Sequence, residues 1–355
     1  MTDRFNRHTL LTARQLRGLS QKQLSSEAGV SQALVSKFEN GLLSPDESLV
    51  KKFGRVLSFP SSFFYETDPA FGLPVSVHTR KKASVGKREM NRALAEFNIR
   101  VGHIRRMLEA TDLTSDLELP FLDISEYGDN PEHIADLMRR VWLAPSGPLD
   151  NLTGFMERAG AIIVWCDLSR VAIDGVTFKI PGLPPLVFAD ETQTADRMRF
   201  TLAHELGHLV MHRWPTPNME KEANEFASAL LMPGREIRSA LSGRVTLARL
   251  AQLKPVWKVS IQSLLMRAQS VGTISSNQAR YLWVQINRLG IRKREPPELD
   301  IEFEHPTVVH DLVQLHLREL GYSLAEFAAA LHMDEHEFAS WYRLEPSQPS
   351  LRLLD

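Results

Sequence analysis

Cysteine is almost missing: Cys166 is the single one in 355 residues. An internal disulfide is therefore excluded, and the composition fits a reducing compartment. Cys166 closes the apolar run AIIVWC, which predicts a buried structural thiol rather than a nucleophile. Net charge is nearly missing too, at −1, so no whole-chain field draws the protein to nucleic acid or membrane. Any nucleic-acid contact must then come from a local basic face. Long hydrophobic runs are absent, and none approaches the ~18 residues of a membrane span. The N-terminus MTDRFNRHTLL has neither the apolar core nor the cleavage site of a secretory signal. These absences predict a cytoplasmic protein with no membrane partner. What remains is ordinary for a soluble globular chain, with 43% hydrophobic and 24% charged residues. The length suits two or three domains.

The pattern predicts a mainly α fold with a small β-sheet, of the α+β class. Residues 1–65 read as an all-α domain of short helices. Ser20 caps QKQLSSEA, Gly29 breaks it, Ser31 caps QALVSKFEN, and Pro45 opens DESLVKKFGRVL. Residues 66–148 read as a linker followed by helices, chiefly 87–109 and 131–143. Residues 149–270 change character: AIIVWC, VAIDGVTFKI and PLVFAD are runs rich in Val, Ile and Phe between Gly and Pro, and read as strands. Two helices follow, at about 194–212 and 219–232. Residues 271–355 read as a helical C-terminal region, broken at REPPELD (294–300). An internal echo links 20–39 with 323–342: Leu24 matches Phe327, Val30 Met333, Val35 Phe338 and Phe38 Trp341. The second copy has His332 at the turn glycine and is acidic, so it suits packing or interaction rather than DNA.

The stretch FTLAHELGHLVMH (200–212) carries His204, Glu205 and His208 as His-Glu-x-x-His. On a helix, residues four apart share a face, so both imidazoles can reach one ion while Glu205 reaches a water held there. That is the metalloprotease pattern of two histidine ligands and a glutamate base. A catalytic zinc site needs a third protein ligand. The candidates are His212, Glu220, Glu222 and Glu225. A continuous helix would put His212 about 12 Å along the axis from His204, which assigns it a structural role. Glu220 and Asn224 lie four apart on the next helix, so Glu220 can ligate while Asn224 accepts a hydrogen bond from a ligand histidine and fixes its tautomer. Spacing favours Glu220, with Glu222 as runner-up. The short motif alone arises by chance in many helices. Apolar flanks, the nearby carboxylates and Gly207, which removes bulk inside the motif, favour a real site over that alternative. Arg197, Arg199 and His212 are candidates for steadying an oxyanion.

RFTLAHELGHLVMH and EKEANEFASALLMP resemble the ImmA/IrrE family of metallopeptidases, a likeness that spans about 149–270. The N-terminal segment resembles the Xre-type helix-turn-helix. The resemblance implies a gluzincin-like core and a zinc endopeptidase, with manganese as the alternative metal. It carries His204, His208 and Glu220 over as ligands and Glu205 as base. It also implies a repressor-type protein as substrate, cut to switch on stress-response or mobile-element genes. In the family the repressor is usually a separate chain, whereas here a helix-turn-helix sits on the peptidase itself. Two other readings stay open: a regulator whose metal domain senses a ligand or partner without cutting, and an antitoxin-like protein whose C-terminal helices bind a partner.

The second helix of the N-terminal motif starts at Ser31 and would enter a major groove by its N-terminal end. Gln32, Ala33, Ser36 and Lys37 lie there; glutamine can pair with adenine and alanine can touch a thymine methyl. Gln21 and Lys22 are placed for phosphates. Residues 1–65 carry nine Lys and Arg against five Asp and Glu, the local footprint that a double-stranded DNA operator requires. Such modules read paired half-sites, which predicts a homodimer. The run HTRKK and Arg100, Arg105 and Arg106 read as solvated charge.

Overall fold

The computed structural model describes residues 4–67, 71–72, 86–111 and 113–344. The basic run HTRKK at 78–82 lies outside them. The chain is mainly helical, with one three-stranded sheet. Among the described residues it divides into two units: 4–67, 71–72, 86–111, 113 and 307–344 form one, and 114–306 form the other. The units cut across the linear stretches 66–148 and 271–355. The reason is hydrophobic: helix Lys87–Glu109 and the segment after 307 bury apolar side chains in the same core as the first four helices.

In the first unit, helices Arg7–Leu16, Gln21–Ala28, Gln32–Glu39 and Glu47–Leu57 surround Leu10, Leu24, Val35 and Phe53. The caps match the sequence. Ser20 and Gln23 form a reciprocal capping box, Gly29 takes the left-handed conformation at φ 70°, and Ser31 accepts from the Leu34 amide. The fourth helix starts later than Pro45 suggests, because Asp46 is its cap and accepts from the Leu49 amide at 2.8 Å.

The echo is structural as well. Helices Leu324–Ala330 and Glu335–Trp341 meet at His332, left-handed at φ 54°, where the first copy has Gly29. Ser323 and Glu326 form the capping box, Asp334 caps the second helix, and Phe327, Met333 and Phe338 are buried. Glu337 receives two hydrogen bonds from Arg17, each 2.6 Å. Arg100 and Arg106 are not solvated. Arg100 is buried, stacks 4.5 Å from the Trp341 ring and binds Glu96, while Arg106 binds Glu66. Packing of the C-terminal helices on the long helix covers a face that periodicity alone leaves open. Beside them His103 is buried, with Nδ1 2.9 Å from the Tyr342 hydroxyl. Burial, helped by the Arg100 charge, pushes its pKa down to about 3.

In the second unit the sheet has strands β1 (Ile162–Cys166), β2 (Gly175–Phe178) and β3 (Leu186–Asp190) in the order β1-β3-β2. β1 and β3 run parallel with Ile162 opposite Leu186; β2 and β3 run antiparallel with Gly175 opposite Ala189. Both faces are covered, so the strands are continuous apolar runs rather than alternating ones. Helices Ala195–Met211 and Met219–Leu231 pack against each other, and helices Pro131–Val141, Leu152–Arg158, Leu247–Trp257, Ile261–Ser270 and Ser276–Arg288 close the core. A buried cation pins the start of helix Ala195–Met211. Lys254 Nζ, 1% exposed, donates to Asp196 at 2.6 Å and to Glu295 at 2.7 Å. Among the described residues no helix is long and apolar enough to cross a membrane.

Candidate functional site

Helix Ala195–Met211 carries the His-Glu-x-x-His motif. It is buried on nearly every side, so its polar side chains must find partners inside the protein. It ends at Met211, and His212 turns out into extended backbone at φ −113° and ψ 103°. The carbonyls exposed by that ending are satisfied by the residue that follows β2. Lys179 Nζ donates to the carbonyl oxygens of His208, Leu209 and His212 at 3.1, 3.1 and 3.0 Å. Burial lowers the Lys179 pKa, with the Arg213 charge adding to the effect.

At Gly207 helix Met219–Leu231 comes close. A Cβ on Gly207 would sit 3.1 Å from Phe226 Cδ1 and 3.2 Å from Ala223 Cα. This approach brings Glu220 and Asn224 over the two histidines. His204 Nδ1 lies 2.8 Å from Asn224 Oδ1. An amide oxygen only accepts, so Nδ1 carries the hydrogen and His204 presents an unprotonated Nε2 on its far side. That Nε2 lies 2.9 Å from His208 Nε2 and 3.6 Å from Glu220 Oε2, while His208 Nε2 lies 3.3 Å from Glu220 Oε1. The ligand atoms of His204, His208 and Glu220 all fall within 4.8 Å of one another, which no other His, Cys, Asp and Glu group does among the described residues. Two imidazole nitrogens and a carboxylate form a donor set that suits zinc or manganese.

The other candidates lie elsewhere. Glu225 is on the exposed side, 3.7 Å from Lys221. Glu222 faces His212, whose Nε2 is 2.9 Å from Glu222 Oε2 and whose Nδ1 is 3.0 Å from His208 Nδ1. Burial holds the His212 imidazole below its ordinary range, against the opposing Glu222 hydrogen bond. Arg197 is engaged by Asp174 at 2.7 Å, and Arg199 is buried against the Leu149 carbonyl and Glu304.

Glu205 is 1% exposed. The Thr177 hydroxyl on β2 donates to its Oε2 at 2.9 Å. β2 can come this near because Gly175 lacks a side chain: a Cβ there would be 2.7 Å from Thr201 Cγ2 and 3.2 Å from Glu205 Cγ. Neither Thr177 nor Lys179 was singled out from sequence. Thr177 is on β2 and Lys179 is the residue just after it, and only their polar character within the otherwise apolar run VTFKI marks them.

In the first unit, helix Gln32–Glu39 buries Val35 and Phe38 and leaves Ser31, Gln32, Ala33 and Lys37 exposed and Ser36 half-buried. Lys22 is exposed on the preceding helix. Gln21 is not loose. Its amide donates to Glu39 Oε2 at 2.8 Å and its oxygen accepts from Gln32 at 3.1 Å. Arg14 anchors Glu39 through bonds of 2.5 and 2.8 Å. An ion pair inside the bundle therefore orients, through Gln21, a side chain at the tip of the exposed helix.

No curated protein matches the chain. Two family models do: residues 10–64 match the one described as Helix-turn-helix, and residues 156–269 match Peptidase_M78, the IrrE N-terminal-like domain. Residues 10–64 are thus similar to a helix-turn-helix, and residues 156–269 to the IrrE N-terminal-like domain of the M78 peptidases.

Proposed function

We propose that this chain is a DNA-binding transcription regulator whose second domain is a zinc-dependent endopeptidase acting on a repressor-type protein. The observation that carries the reading is the convergence of His204, His208 and Glu220 with the buried Glu205 beside them. These three residues would hold zinc, or manganese in its place. Zinc bound there supplies Lewis acidity, which acidifies water toward a pKa of ~7 and polarises a carbonyl. Glu205, with one carboxylate oxygen fixed by Thr177, takes a proton from the attacking water and delivers it to the leaving amine. The chain reads its operator through Ser31, Gln32, Ala33, Ser36 and Lys37, with Gln21 and Lys22 at the phosphates, and binds it as a homodimer.

The test is metal analysis of the purified protein, then incubation with the repressor encoded next to it and with the protein alone. Metal-loaded wild type cuts one of these, and Glu205→Gln keeps the metal while losing cleavage. Cleavage by Glu205→Gln would refute the base assignment. Metal binding without cleavage of any target would favour the regulator that senses a ligand or partner.

A further inference from the structure

The hydrogen placement in the histidine row follows from its outer end. A carboxylate only accepts, so at 2.9 Å from Glu222 Oε2 the His212 Nε2 must carry a hydrogen. A neutral imidazole carries one hydrogen, which leaves His212 Nδ1 as an acceptor. The 3.0 Å contact between His212 Nδ1 and His208 Nδ1 then takes its hydrogen from His208. That in turn leaves His208 Nε2 as a lone pair, on the side where His204 Nε2 and Glu220 lie.

We infer that Glu222 and His212 are positioning residues that fix the tautomer and ring orientation of His208, so that its Nε2 faces the metal. Asn224 sets His204 in the same sense from the same helix. The two supports differ in charge. Asn224 is a neutral acceptor, whereas Glu222 acts through an imidazole and makes His208 the more basic of the two nitrogen donors. The arrangement depends on the motif helix ending at Met211: the turn at His212, held by Lys179, swings the third histidine beside the second. This inference rests on the proposal that His204, His208 and Glu220 form a metal site.

The experiment uses the full-length protein. Zinc affinity is measured by competition with a chromophoric chelator, and the cobalt-loaded protein is examined by its visible absorption bands. Wild type binds one equivalent and His208→Ala loses it. Glu222→Ala is expected to weaken zinc binding ~10–100-fold and to shift the cobalt bands. Glu222→Gln restores an acceptor without the charge and falls between the two; it also reads the effect should Glu222→Ala fold poorly. Unchanged affinity and cobalt spectrum in both Glu222 variants, with wild type binding its equivalent, would overturn the positioning role and leave the metal site standing. A wild type that binds no ion would overturn both.

Discussion

Gly207→Ala separates folding stability from metal affinity. Alanine is the better helix former by about 1 kcal/mol, so the substitution gains that much locally. The new methyl, however, would lie 3.2 Å from Ala223 Cα and 3.1 Å from Phe226 Cδ1. Carbon contacts are best at about 3.5–4.0 Å, so helix Met219–Leu231 must retreat by roughly 0.3–0.8 Å. Overpacking of this kind costs about 1–3 kcal/mol. The net loss of stability is then about 0–2 kcal/mol, a small change in a melting experiment. Glu220 and Asn224 ride on the displaced helix, and ligand distances tolerate only about ±0.2 Å. Zinc affinity should therefore fall at least tenfold while the apo protein melts near the wild-type temperature. The assay is a chelator competition titration alongside thermal unfolding of the metal-free protein. Wild-type zinc affinity in Gly207→Ala would refute the argument that close approach at Gly207 sets the third donor.

Other outcomes follow from the same geometry. Gln32→Ala combined with Lys37→Ala should weaken operator binding in a gel shift while the far-ultraviolet spectrum stays that of wild type; unchanged affinity would count against this helix as the reading element. Lys254→Met strands Asp196 and Glu295 in the interior, and should lower stability by about 3–5 kcal/mol in denaturant unfolding. The first unit should weaken in acid. His103 has a depressed pKa in the folded state, so unfolding takes up a proton there; its contribution is complete above pH ~6.5 and is lost as the pH falls toward 3. His103→Asn should flatten that dependence, and an unchanged acid profile would remove His103 as its source.

The grouping of His204, His208 and Glu220 was legible because it depends on two periodicities: four residues along one helix and four along the next. Asn224 followed from the same spacing. His212 was misjudged in one respect. Distance along an unbroken helix separated it from His204, but the helix stops at Met211 and the side chain meets His208 instead. Thr177 and Lys179 were illegible because their partners are 28 to 33 residues away, and a strand's contacts depend on how its neighbours pack. The helix-turn-helix caps were legible in Ser20, Gly29 and Ser31, since capping is local chemistry. The burial of Arg100 was not, because it waits on Trp341, which lies 241 residues further along the chain.

The division into units has a temporal consequence. Leu312, Phe327, Met333 and Phe338 complete the core that Leu10, Leu24 and Phe53 begin, yet the ribosome delivers them only after residues 114–306. At about 5–20 residues per second, that interval lasts roughly 10–40 seconds. Through it the nascent helix-turn-helix exposes apolar surface that its own C-terminal segment will later cover. A chain truncated anywhere within residues 114–306 therefore lacks the segment that completes the core of the first unit.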